Sequence, residues 1–233
     1  MTLLAIGQAA ADIIGIPRPS SIIGQNDTST RLLYSCANRV GREMARRAPW
    51  QALTSTSTFV SVSTQAQPGS FPADFARIVP GSLFNVSRHR ACFGPLSPQE
   101  WSAGNNLTNQ PFVDAFVIRD GQIYLLSPNA GDTYSFEYVR NVWCSNAAGT
   151  TFHTSWSADD DVPLLDEELH ILGLIWTFKK ARGLEYAEDF ASYERNLTTA
   201  MSADAARRTI TLGPGRLPQA PTVPIVSEGS WSL

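Results

Sequence analysis

The stretch from Pro163 to Met201 constrains the fold more than any other part of the chain. Between Leu164 and Phe178, the residues Leu164, Leu165, Leu169, Ile171, Leu172, Leu174, Ile175, Trp176 and Phe178 leave almost no polar face. A helix that is apolar nearly all round is covered on most sides rather than laid on a surface. Its ends are marked. Pro163 suits a first helical position. Asp166, Glu167 and Glu168 gather at the positive end, Lys179, Lys180 and Arg182 at the negative end, and Gly183 is placed to cap it. Tyr186, Phe190, Tyr193, Leu197 and Met201 then recur at three- and four-residue spacing, with charges between them. The pattern predicts two helices joined at Gly183, or one helix kinked there.

At 233 residues, one large or two small domains are expected. Hydrophobic content of 43% is ordinary, but a charged fraction of 17% is low, as for a surface partly covered by other protein. A net charge of -3 gives no global basic field for nucleic acid. Cys36, Cys92 and Cys144 are odd in number and widely spaced. They form neither a disulfide framework nor a metal cluster, which favours a reducing compartment during folding. No apolar run approaches the roughly 20 residues that span a membrane, and no membrane contact is expected.

Residues 2–15 carry a helical stripe of Leu3, Ile6, Ala10, Ile13 and Ile14, with Thr2 as cap and Gly15 and Pro17 as stop. A second helix begins after Asn26 or Asp27 and runs to Arg47, burying Leu32, Leu33, Cys36, Ala37, Val40 and Met44. It also carries Arg39, Arg42, Arg46 and Arg47 on one side. That row is either a solvated face balanced by nearby acids or a contact surface for a partner's carboxylates or passing phosphates.

From Ser55 to Trp156 the period changes to two, predicting antiparallel β structure. Strands are expected at Thr58–Thr64 and Phe75–Val79, and across Tyr134, Phe136 and Tyr138. Asp120-Gly121 between two alternating apolar runs signals a hairpin. Ser97–Trp101 reads as a helical turn with Ser97 as cap. After Met201, Ile210 and Leu212 suggest a last short strand. The tail then repeats proline at Pro214, Pro218, Pro221 and Pro224, which excludes helix and central strand. It predicts an extended arm with about 60 Å of reach over its last twenty residues. Val223, Ile225, Val226 and Trp231 are too apolar for a plain tail and dock on this fold or on a partner.

The expected class is α+β: a helical bundle of two N-terminal helices and a C-terminal helix pair, an inserted antiparallel β domain, and an extended C-terminal arm. The divisions fall at 1–54, 55–158, 159–205 and 206–233.

No catalytic, cofactor-binding or metal-ligating constellation emerges. His170, mid-helix and close to Glu167 and Glu168, reads as a satisfied core or interface histidine. His89 near Cys92 lacks the context of a Cys–His dyad. Asp159, Asp160 and Asp161 read as a solvated loop favouring the N-terminus of the next helix, with a cation site as the competitor. Asp74 and Glu100 are carboxylates whose separation the sequence does not give. There is no phosphate-cradling glycine loop. A structural, non-enzymatic chain without cofactor is the expectation.

Several stretches together resemble the head-to-tail adaptors, or connectors, of short-tailed phages. They are AADIIGIPRPSSIIGQNDTSTRLLYSCANRVGREMARRAPWQALT, FPADFARIVPGSLFNVSRHRACFGPLSPQEW, YSFEYVRNVW and DDDVPLLDEELHILGLIWTFKKARGLEYAEDFASYERNL. Their order along residues 5–200, more than any single motif, carries the likeness. The resemblance implies a virion protein made in the host cytoplasm and placed at the head-tail interface. It implies a homo-oligomeric ring of 12 copies on the portal protein, meeting tail nozzle, tail-fibre or spike proteins on its far side. DNA would pass non-specifically through the channel. The arm, with Pro218, Pro221, Val223, Pro224, Ile225, Val226 and Trp231, would reach the portal or a neighbouring subunit. Arg39, Arg42, Arg46 and Arg47 would face the channel or an interface. Alternatives are a tail-fibre or spike-anchoring module and a cell-wall hydrolase used in infection. In a ring, part of the apolar helix after Pro163 would meet the next subunit.

Overall fold

Short polar side chains start the first two helices. Thr2 Oγ1 accepts from the Ala5 amide at 3.3 Å and opens α1, Leu3–Ile14, which ends at Gly15 in the left-handed region. Asp27 accepts from the amides of Ser29 and Thr30, each at 3.0 Å, and opens α2, Thr28–Arg47. These bonds, that of Thr30 first, hold the Asp27 carboxyl below its usual range. The chain closes α2 with a buried donor: Trp50 Nε1 donates to the Met44 carbonyl at 2.7 Å. The structure is a computed structural model, and it describes residues 1–106 and 114–204.

A single-turn 3₁₀ helix, Gln51–Leu53, leads into β1, Thr54–Val60. There follow β2, Ala66–Gln67; β3, Phe75–Ile78; β4, Phe84–Asn85; and β5, Arg90–Ala91. After α3, Pro98–Asn106, come β6, Phe116–Arg119; β7, Gln122–Leu125; and β8, Thr133–Arg140. The last short strands are β9, Cys144–Ser145; β10, Phe152–His153; and β11, Val162–Pro163. The chain then forms α4, Glu167–Arg182, and α5, Ala187–Asp204. The result is an α+β protein with antiparallel sheets.

β8 organises the main sheet. β1 pairs along it from Thr54↔Val139 to Val60↔Thr133, and β3 and β4 pair with it as well. Alternation puts Tyr134, Phe136 and Tyr138 inside, where Phe59 stacks on Tyr134 with ring centroids 5.3 Å apart. β1 lies four residues earlier than the expected Thr58–Thr64. Ser61 ends it by turning its amide and hydroxyl to the Asp132 carbonyl, at 2.8 and 3.0 Å. The Asp120-Gly121 hairpin joins β6 to β7, and positive φ at both residues (48° and 68°) gives the turn its hand. The expected helical turn at Ser97 is a nine-residue helix. Ser97 and Glu100 close it reciprocally, the Ser97 amide donating to Glu100 at 2.8 Å and the Glu100 amide to Ser97 Oγ at 3.3 Å.

α4 packs against α1, α2 and α5. Leu3, Ile6, Leu33, Val40, Met44, Leu169, Leu174, Phe178, Tyr193 and Leu197 are buried together. Gly173 sets the closeness of one crossing: a Cβ there would lie 2.5 Å from Val40 Cγ1 and 3.2 Å from Tyr193 Cε2. This core extends to Val139, Trp143, Cys144 and Trp156. The Trp156 amide donates to Asn38 Oδ1 at 3.0 Å and Tyr34 Oη to the Trp156 carbonyl at 2.9 Å, so the chain between β8 and α4 is fastened to α2. A second core gathers Ile78, Leu83, Phe116, Ile123, Tyr134 and Phe136.

Three expectations need correction. Pro163 does not start α4. It pairs with Cys144 in β11, the Leu164 amide still donates to the Trp143 carbonyl at 3.0 Å, and Asp166 caps the helix by accepting from Leu169 at 3.0 Å. Gly183, at φ 72°, ends α4 and separates it from α5, so there are two helices.

The acidic run is not a solvated loop serving α4. Asp159 accepts from Ser21 Oγ and the Ile22 and Ile23 amides, and buried Asp161 accepts from the Ser157 and Ala158 amides. The carbonyls of Asp161 and Asp159 also take the first amides of α1, Leu3 and Leu4, at 2.8 and 3.0 Å. The run therefore locks the N-terminal helix, and only Asp160 is exposed.

His170 is a core residue but not a satisfied one. Its ring lies against Trp143 and Trp156, with centroids 6.1 and 5.9 Å away, and Nε2 has no partner. The glutamates beside it in sequence are committed elsewhere, since Glu167 pairs with the Met1 ammonium and Glu168 is exposed. Burial pushes the His170 pKa down to about 4. The expected strand at Ile210 and Leu212 and the arm 206–233 lie outside the described residues.

Candidate functional site

The helix pattern that buries Cys36, Val40, Gly41 and Met44 turns Arg39, Arg42, Arg46 and Arg47 outward, and all four are exposed. They differ in what holds them. Arg47 donates to Glu43 at 3.0 Å and Glu194 at 2.6 Å, tying α2 to α5. The hydrogen bond to Glu43, ahead of the charge of Glu194, raises its pKa further. Arg42 Nε donates to the Asn38 carbonyl at 3.1 Å. Arg39 and Arg46 have no carboxylate within ion-pair distance among the described residues.

Two shallow hollows meet along this row. One, of about 470 Å³, is lined by Arg39, Arg42, Glu43, Arg46 and Arg47. The next, of about 410 Å³, shares Arg42 and Arg46 and adds Arg77, Val139, Arg140 and Trp143, among others. Gly41 makes the junction tight, because the Trp143 ring occupies the space a Cβ would need. The second hollow thus lies where α2 meets β3 and the end of β8.

On its β side the groove holds one compensated and one uncompensated cation. Arg140 Nε donates to Asp74 Oδ2 at 2.7 Å, and its guanidinium lies 4.0 Å from the centroid of the Phe152 ring. Burial pushes the Asp74 carboxyl up, but the hydrogen bonds from Arg140 and Tyr138 outweigh it and hold the pKa below its ordinary value. Arg77 is exposed and has no ion-pair partner among the described residues. The groove therefore presents Arg39, Arg42, Arg46 and Arg77 with their charge largely uncompensated, on a chain whose net charge is -3. Guanidinium forks in this arrangement suit carboxylates or phosphates.

Sequence spacing found Arg39, Arg42, Arg46 and Arg47 but missed Arg77 and Arg140. Those two join the row only through the pairing of β3 with β8, which no local period encodes. Pro218, Pro221, Val223, Pro224, Ile225, Val226 and Trp231 lie outside the described residues.

Other candidate chemistry is held in structural roles. Burial pushes the Cys92 thiol up to about 12, far from the thiolate a nucleophile needs, while His89 is exposed. Asp74 is ion-paired, and Glu100, lowered by the Ser97 backbone hydrogen bond, closes the α3 cap. Neither carries the raised pKa of a general acid. Among the described residues no group of three or more His, Cys, Asp or Glu is placed to hold a metal, and no helix is long and apolar enough to cross a membrane.

The model of the SU10 adaptor protein family matches residues 1–218. The chain belongs to that family. It is thus a structural adaptor protein of the phage head-to-tail class. No curated protein matches the chain. For an SU10-family adaptor, whose work is holding other proteins together at the head-tail interface, a surface groove in which Arg39, Arg42, Arg46 and Arg77 lack ion-pair partners among the described residues is the feature to weigh first.

Proposed function

We propose that this adaptor forms a ring of about 12 copies that joins the portal protein to the tail and continues the DNA channel. The 12-fold number comes from the adaptor resemblance, since a ring on a 12-fold portal repeats one contact around a closed circle. The observation that carries the reading is the family match over nearly the whole chain. The groove of Arg39, Arg42, Arg46 and Arg77 adds to it, because a cationic strip on a slightly acidic chain serves either a neighbour's carboxylates or phosphates in the channel. Tail nozzle, tail-fibre or spike proteins would bind the face away from the portal. The arm with Pro218, Pro221, Val223, Pro224, Ile225, Val226 and Trp231 would contact the portal or the next subunit.

Charge reversal tests the groove. The double variant Arg42→Glu, Arg46→Glu should melt close to the wild type yet fail in ring assembly or DNA retention. Normal assembly and packaging by a folded variant would reduce the row to a solvated face.

A further inference from the structure

The sheet built on β8 has three free edges, and they are not alike. β5 has two residues, one of them Arg90. β3 has four, is irregular between Phe75 and Arg77, and carries an exposed arginine. Shortness, bulges and charge are the ordinary ways a sheet blunts an edge. β1 uses none of them. It has seven residues, TSTSTFV, with neither charge nor proline, in unbroken register with β8. Among the described residues, the backbone of 55–60 makes no hydrogen bond beyond that pairing. Its outward side chains Thr56, Thr58 and Val60 are exposed, Val60 at 63%. The register sets Val60 across from Thr133 and Phe84 across from Ser135, so the bare face continues into the exposed Phe84 and Val86.

We propose that β1 is an acceptor edge, and that its added strand is Thr222–Ser227 of a neighbouring copy of this chain. The proposal rests on the ring reading above. α5 ends at Asp204, whose Oδ2 and carbonyl accept from the Gln51 amide at 2.9 Å and Gln51 Nε2 at 2.6 Å. Gln51 stands three residues before β1, so Asp204, the last described residue, lies at the foot of the open edge. Residues 205–221 give about 50 Å of extended reach, against about 23 Å for the whole of a seven-residue strand. That tether is about twice the length of the strand it would lie along, which leaves it free to extend beyond its own subunit.

The segment TVPIVS supplies Val223, Ile225 and Val226 for a β-type surface. Pro224 lacks an amide and is tolerated only where its backbone faces away from the acceptor. That parity turns the backbones of Val223 and Ile225 toward β1. It also leaves proline on the new outer edge, where it stops further addition. Pro221 has the opposite parity and would face β1, so it falls just before the strand and fixes its start. Around a closed ring each β1 is filled by the next copy and no edge remains open.

The test uses the full chain with portal present. Cys36, Cys92 and Cys144 are buried, with thiols pushed up to about 11, 12 and 12, so introduced cysteines react alone. A Thr58→Cys chain is mixed with an Ile225→Cys chain and treated with a short bismaleimide. Bridged pairs of the two variants are expected. Amides of 54–60 should also exchange about tenfold more slowly in the full-length assembly than in one made from a chain ending at Gln219. Assemblies without bridged pairs, or bridging only within a chain that carries both cysteines, would overturn the proposal. If the chain ending at Gln219 gives rings of the same copy number with unchanged exchange in β1, strand donation falls while the ring reading stands. If the full-length chain never joins the portal, both fall.

Discussion

The helical core and the β8 sheet treat buried polar groups in opposite ways. In the sheet region most of them are bonded, with Ser127 Oγ, just after β7, the exception. Asn85, fully buried, donates to Asp114 at 3.0 Å and Asp132 at 3.3 Å and accepts from the Arg88 amide at 3.0 Å. Gln67 accepts from the Val62 amide at 2.8 Å and donates to the Thr64 carbonyl at 2.5 Å. Around α4, Trp156 Nε1, His170 Nε2, Trp176 Nε1 and Thr177 Oγ1 are buried without partners. An unmade buried bond costs about 1–3 kcal/mol, so apolar packing must outweigh these losses in the helical core. α4 is thus held mainly by shape and burial, whereas the sheet region relies more on directed bonds.

The largest expected effect probes the packing side. Leu174 is 1% exposed at the centre of the helical core. Leu174→Ala should cost about 2–5 kcal/mol in denaturant unfolding, and a loss well below that range would remove α4 from the centre of the core. The next effect probes the bonded side. Asn85→Ala strands the Arg88 amide and should cost about 1–3 kcal/mol. A neutral result would erase the contrast between the two regions.

A smaller effect belongs to His170. His170→Leu keeps an apolar shape, removes an unpaired nitrogen and should be neutral or stabilising by about 1 kcal/mol at pH 7. The pH dependence has a definite sign. The folded pKa, about 4, lies below the ordinary 6.5, so the unfolded chain takes up the proton first. Wild-type stability should therefore fall as pH drops from about 6.5 to about 4, and the variant should lack that slope. Identical slopes in unfolding titrations would contradict the burial of a neutral ring. Of the carboxylates held low, Asp27, Asp74 and Asp159 act below their ordinary 3.8, and Glu100 acts below its ordinary 4.5, so the stretch from 6.5 to 4.5 reports His170. The smallest effect is at the groove, where Arg46→Ala should change stability by no more than about 0.5 kcal/mol. A large drop in melting temperature would make Arg46 part of the fold rather than of a contact surface.

What the sequence made legible follows from how local each cause is. Thr2, Asp27, Ser97 and Gly183 act within one turn of themselves, and the helix ends they mark are where the structure has them. Asp120-Gly121 is as local, and its hairpin is present. Pro163 misled because its partner, Cys144, is a strand residue nineteen positions away. The acidic run misled for the same reason: Asp159 is fixed by Ser21 Oγ and the Ile22 amide, contacts separated by more than 130 residues. Four of the six arginines along the groove, Arg39, Arg42, Arg46 and Arg47, were legible as a helix face. Arg77 and Arg140 reach it through strand pairing, and the open edge of β1 exists only once β8 has taken its other side.

Whether this SU10-family adaptor works as a ring on the portal is decided by imaging and weighing the purified chain mixed with its portal. A second ring stacked on the portal is expected, of mass equal to about 12 copies of this chain. A chain that stays monomeric beside an unchanged portal, or that joins tail proteins alone, would contradict it.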